Sequence, residues 1–156
     1  MPFTVSCLKP RFIWIYAFAA VLCWTSHPCQ AQETVGADDV IRLGSQQLAY
    51  IDLDRTAEVW QAASPVLKAQ LGLPEFAAGI RAGRGALAVI PGRSWVLVNR
   101  VTYGEGSDAG VPAGRYASVN YLTDLGGKRI LSELVSFRLE ADGRWRLSGY
   151  VPKFLP

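Results

Sequence analysis

The stretch from Ile130 to Val151 most constrains what this chain can become. Two runs of alternating apolar and polar residues flank Ala141-Asp142-Gly143, a strong hairpin signal. Side chains alternate with period two along a strand. Leu131, Val135, Phe137 and Leu139 therefore share one face, and Trp145, Leu147 and Val151 share another. Both sets need the same core. A two-residue Asp-Gly loop would pair Ala141 with Arg144 and set Leu139 on the same face as Arg146. A three-residue loop pairs Glu140 with Arg144 instead. It sets Leu139 against Trp145 and Phe137 against Leu147, brings Glu133 near Val151, and gives Gly143 the left-handed turn position that glycine adopts cheaply. The opposite face then carries Ser132, Ser136, Arg138, Arg144, Arg146, Ser148 and Tyr150 and faces water, the signature of an antiparallel sheet.

At the other end, Lys9 and Arg11 precede an apolar run from Phe12 to Trp24, and a polar stretch closes on Cys29-Gln30-Ala31. This three-part order predicts a secretory signal over 1–31, cut after Ala31. The 13 residues of the run fall short of the roughly 20 that a membrane-spanning helix needs. The expected location is periplasmic or secreted, with no membrane span after cleavage. Cys7, Cys23, Cys29 and His27 all lie in this segment. The chain from Gln32 on holds no other Cys or His, which excludes thiolate or imidazole zinc sites, Cys-His and Ser-His-Asp nucleophiles, and haem held by either residue. No EF-hand spacing and no glycine-rich phosphate loop after a strand occur, so no cofactor is expected. Two of the 16 basic residues lie in the signal, leaving 14 against 13 acids. This near-neutral balance gives no footprint for nucleic acid.

Residues 32–37 read as a leader, and 38–156 as a single α+β domain. Asp38 and Asp39 suit a helix start, and Val40, Ile41, Gly44, Leu48 and Ile51 recur at helical spacing, which predicts a helix from Asp38 to Leu53. Thr56 to Ala63 reads as a second helix. Ser64-Pro65 caps a third that ends at Gly72, and Pro74 opens a fourth that ends at Gly83. Arg84 to Arg93 is a connector, with a possible short edge strand at Ala86 to Ile90. From Ser94 the period becomes two. Trp95, Leu97, Val101 and Tyr103 share a face opposite Val96 and Val98, as in a strand covered on both sides. Arg115 to Thr123 is a strand with Ala117, Val119 and Tyr121 on one side, and Asp124 to Gly127 is a turn. Helices first and strands after predict N-terminal helices packed on one face of a four-stranded antiparallel meander.

Several phrases carry a resemblance. Asp-Leu-Asp-Arg at 52–55, Val-Trp-Gln-Ala-Ala-Ser at 59–64, Pro-Ala-Gly-Arg-Tyr at 112–116, Glu133-Leu-Val and the closing Asp142-Gly-Arg-Trp-Arg-Leu-Ser-Gly-Tyr150 stand in this order. Together they resemble the bacterial family of exported proteins catalogued as domain of unknown function 4019, over about Asp38 to Val151. The order of helices and sheet is also similar to cystatin-like and nuclear-transport-factor-2-like folds. The resemblance implies export and supplies no catalytic residue, and fold analogy does not give function.

Among candidate residues, Glu133 stands out as the one carboxylate on the apolar face of its strand, with Arg100 or Arg115 as expected ion-pair partner. Asp52 and Asp54 close the first helix, where they either line a pocket mouth or cap the next segment beside Arg55. Tyr103 and Tyr121 lie on apolar strand faces and, with Glu133, Asp52 and Asp54, are the candidate binding residues. Trp60, Trp95 and Trp145 read as core rather than as a ligand platform, and Arg138, Arg144 and Arg146 as a solvated charged face. The leading expectation is a non-catalytic module binding an unknown protein or small ligand in the cell envelope. The alternatives are a small-pocket enzyme with a carboxylate base, isomerase-like, and a protein that self-associates through its exposed sheet face.

Overall fold

The computed structural model describes residues 35–85, 87, 92–107 and 110–156. The expected signal over 1–31, and the expected edge strand in 86–90 apart from Leu87, lie outside the described residues. Four helices precede four strands: α1 Ala37–Asp52, α2 Thr56–Ala62, α3 Pro65–Gln70, α4 Leu73–Arg84, β1 Ser94–Tyr103, β2 Gly114–Asp124, β3 Ile130–Leu139 and β4 Trp145–Leu155. The strands form one antiparallel meander in the order β1-β2-β3-β4. This is the α+β arrangement expected, and the four predicted helices and the strands β1 to β3 end within about two residues of their expected bounds, while β4, expected to end at Val151, runs on to Leu155. The third helix, α3, stops at Gln70, and Gly72 serves as the N-cap of α4. Among the described residues no helix is long and apolar enough to cross a membrane.

The helices cover one face of the sheet. In α1, Val40, Gly44, Leu48 and Ile51 are buried, the stripe that three-to-four-residue spacing creates. At Gly44 a Cβ would lie 2.5 Å from Val119 Cγ1 and 2.7 Å from Tyr121 Oη, so a bare backbone lets α1 lie against β2. Ala117, Val119, Tyr121, Val135, Phe137 and Leu147 are the sheet's share of the core. Ser64 fastens the helices to the hairpin: its hydroxyl accepts from the Val66 amide at 3.1 Å and donates to Glu140 Oε1 at 2.5 Å, while its amide donates to the Leu147 carbonyl at 2.8 Å.

The last hairpin turns as expected. Leu139 pairs with Trp145 and Phe137 with Leu147. Glu140 N–H donates to the Arg144 carbonyl at 2.9 Å, and Gly143 has φ of 76°. Gly143→Val is expected to cost about 1 kcal/mol or more, because a β-branched residue is poor at positive φ. Chemical denaturation checks this, and an unchanged midpoint would count against the turn.

Past Leu147 the register departs from the simple alternation. A bulge leaves Ser148 unmatched, so Ser136 pairs with Gly149, Val135 with Tyr150, Leu134 with Val151 and Glu133 with Pro152. One extra residue reverses the facing of all that follows it. Tyr150, expected outside, faces the core, and Val151, expected inside, is exposed. A second bulge, between Trp95 and Leu97, breaks the alternation of β1. Val98 packs on the core while Trp95, Val96 and Leu97 are exposed. The expectation of a first strand covered on both sides therefore fails, and Trp95 is not core. β1 is the edge of the sheet, and its open side carries Leu97 in register with Asn120, Leu134 and Val151.

Candidate functional site

Glu133 sits in the middle of β3, opposite Tyr121 on β2 and Pro152 on β4, and has 0% exposure. A carboxylate stripped of water is costly unless its oxygens are satisfied. Here Arg93 Nε donates to Oε2 at 2.5 Å and the Tyr150 hydroxyl to Oε1 at 2.6 Å. Arg93, the residue just before β1, also grips Asp52 with both terminal nitrogens, at 2.6 and 2.7 Å. Such two-pronged guanidinium–carboxylate pairing is the strong form of the charged hydrogen bond. Arg84, in the last turn of α4, donates to Asp52 as well. Its Nε lies 3.7 Å from Glu133 Oε1, close enough to attract and too far to hydrogen-bond, and has no hydrogen-bond partner among the described residues. Two cations thus meet two anions, and one member of each sign, Arg84 and Glu133, is almost wholly buried.

The electrostatics follow from that geometry. Burial works against the charge of Arg93, but its hydrogen bonds to Asp52 and Glu133 more than offset this and raise its pKa. Burial pushes the Tyr150 hydroxyl well above its usual range, and the neighbouring Glu133 charge, together with its hydrogen bond, pushes it further. Tyr121 is also raised by burial.

The sequence candidates separate here. Glu133 and Asp52 meet, through Arg93. The expected partners of Glu133 do not: Arg100 turns away and donates to the Val35 carbonyl at 2.7 Å, and Arg115 makes no ion pair among the described residues. Asp52 pairs with Arg84 and Arg93 rather than Arg55, because Arg55 is taken by Glu58. Among the described residues Asp54 caps nothing with its side chain. It takes φ of 56° just after α1, a left-handed position that aspartate tolerates. The Tyr121 hydroxyl donates to the Ile41 carbonyl at 2.6 Å and lies 3.0 Å from Ser45 Oγ, so it secures α1. Tyr103 lies edge-on to Tyr116 with ring centres 5.4 Å apart, remote from Glu133. Arg84, Arg93 and Tyr150 were not anticipated. Only Gly149 hinted at the bulge that turns Tyr150 inward, since glycine inside a strand often marks one.

Among the described residues, two of the concavities lie along the inner face. One, of about 240 Å³, opens beside Asp52, Asp54, Thr56, Arg84 and Leu87. The other, of about 390 Å³, lies toward the far end of the sheet, between Val35, Arg100, Thr102, Arg115, Tyr116 and Trp145. Among the described residues no three Asp, Glu, His or Cys side chains are grouped to hold a metal ion.

Architecture and network together define a small α+β protein: a helical layer fastened to an antiparallel meander through a buried charge cluster. The chain belongs to the family described as Protein of unknown function (DUF4019), whose model matches residues 44–150. The match runs from the glycine that seats α1 to the tyrosine that completes the cluster. No curated protein and no solved structure matches the chain.

Proposed function

We infer that the protein is a non-catalytic binding module that works in the cell envelope. The observation that carries this reading is how fully Glu133 is engaged. A carboxylate base needs an unspent lone pair aimed at a space where substrate fits. Glu133 instead has no exposure, and its two oxygens accept from Arg93 and Tyr150, so its geometry favours holding the fold over moving a proton. The grooves at both ends of the inner face supply room for a ligand.

Placement in the envelope rests on Lys9, Arg11, the apolar run after them and Ala31. The intact mass of the exported form should begin at Gln32, and a full-length species retained in the inner membrane would refute export. Native mass spectrometry of the protein taken from its own envelope fraction tests binding. A small molecule or a protein travelling with the chain supports the reading, and a bare monomer overturns it. A second reading, self-association, draws support from the exposed Leu97, Leu134 and Val151 in one cross-sheet row. It predicts a homo-oligomer in the same spectrum that Val151→Lys dissociates.

A further inference from the structure

We propose that the groove between Arg100, Arg115 and Trp145 binds a small ligand through an oxyanion, a carboxylate or a phosphate, carried on an apolar body. This rests on the binding-module reading and names its ligand class. Register brings the two arginines together. Arg100 pairs with Ala117, and Arg115, two residues earlier on β2, pairs with Thr102. The arginines are therefore diagonal neighbours on one face, about 7–8 Å apart at their bases, and long enough to converge on one anion. Among the described residues no carboxylate lines this groove. By contrast Arg84, Arg93, Arg138 and Arg146 each hold a carboxylate within 4 Å.

Two like charges side by side on a sheet repel, and at this spacing they lie within the screening length of physiological salt, about 8 Å. An oxyanion between them relieves that repulsion, and the planar guanidinium fork fits carboxylate and phosphate alike. Trp145 supplies an apolar wall beside the charges, and the roughly 390 Å³ of space falls within the range of small-molecule sites. The groove is independent of the buried cluster. Tyr121, opposite Glu133, lies six residues along β2 from Arg115, which is about 20 Å at strand rise.

The test is a titration of the purified chain with benzoate, phenyl phosphate and, as uncharged control, benzyl alcohol, followed by nitrogen-15 NMR at arginine Nε–H and the tryptophan indole N–H. Saturable shifts at Arg100, Arg115 and Trp145 are expected with benzoate, phenyl phosphate or both, and the stronger of the two tells carboxylate from phosphate. Arg100→Gln and Arg115→Gln should each weaken binding about tenfold or more, and Arg115→Gln should do so without lowering the melting temperature, a combination that a purely structural role would not give. Thr102→Glu, which sets a carboxylate opposite Arg115, should abolish binding while leaving the chain folded. No saturation with either anion, an equal response to benzyl alcohol, or unaltered binding in the Arg100→Gln/Arg115→Gln protein would overturn the proposal. Native spectra of the double variant separate the two claims: a companion molecule retained there sinks the groove and leaves the binding module standing.

Discussion

Glu133→Gln is expected to destabilise the protein by about 3–5 kcal/mol, the usual consequence of removing one partner from a buried charge pair. For a domain of this size that is a fall in melting temperature on the order of 10–20 °C. The reason lies in the charge count of the cluster. Asp52 and Glu133 balance Arg84 and Arg93. Neutralising Glu133 leaves two guanidiniums with one carboxylate, and Arg84 is only 4% exposed, so water cannot take over. The Tyr150 hydroxyl also loses its charged acceptor. The double variant Glu133→Leu/Arg93→Met behaves differently, because it removes one charge of each sign and leaves Arg84 paired with Asp52. Replacing a buried pair by apolar groups of similar size is often close to neutral, so the double variant should melt above Glu133→Gln. Thermal unfolding of the parent and both variants decides it. A Glu133→Gln protein that melts with the parent would show that the cluster does not hold the fold.

The sequence made the hairpin legible because its two apolar sets tolerate only one register, and the structure has Leu139 against Trp145 as that argument requires. The helices were legible for the same kind of reason: Val40, Leu48 and Ile51 recur at a spacing only a helix brings to one side. What period-two reasoning does not register is a bulge. Ser148 shifts the rest of β4 by one residue, and with it went the facing of Tyr150 and Val151. The bulge near Trp95 did the same to β1, and the edge position left those apolar side chains uncovered.

Glu133 was found from sequence because a carboxylate breaks an otherwise apolar stripe. Its partners were not found, because they arrive from elements with no periodic tie to β3. Arg93 stands at the end of a glycine-bounded connector, Arg84 ends a helix, and Asp52 ends another. Arg100 and Arg115 had been the natural guesses, as cations on neighbouring strands. They lie instead at the opposite end of the inner face, where among the described residues no carboxylate pairs with either.

The same cluster makes the protein sensitive to alkali. Below pH 10 the Tyr150 hydroxyl is protonated in both the folded and the unfolded chain, so it adds no pH dependence. Above the ordinary tyrosine value of about 10 the unfolded chain releases this proton. The folded chain keeps it, because burial and then the adjacent Glu133 carboxylate disfavour a phenolate there. The unfolded state therefore binds fewer protons, and stability falls as pH rises, by about 1.4 kcal/mol per pH unit for one such group. Tyr121, raised by burial, adds loss of the same sign. Arg93 shifts in the protective direction for a cation, but its contribution is lost only above the ordinary arginine range, beyond the useful pH. Denaturant titrations between pH 9 and about 12 should show this decline. Tyr150→Phe gives the control. It forfeits a charged hydrogen bond worth about 1.5–3 kcal/mol at neutral pH, yet it no longer carries the proton, so its stability should fall less steeply and approach that of the parent as pH rises. An unchanged alkaline slope in Tyr150→Phe would mean that the hydroxyl ionises in the folded protein as readily as in water, and that its bond to Glu133 is not the strong contact described.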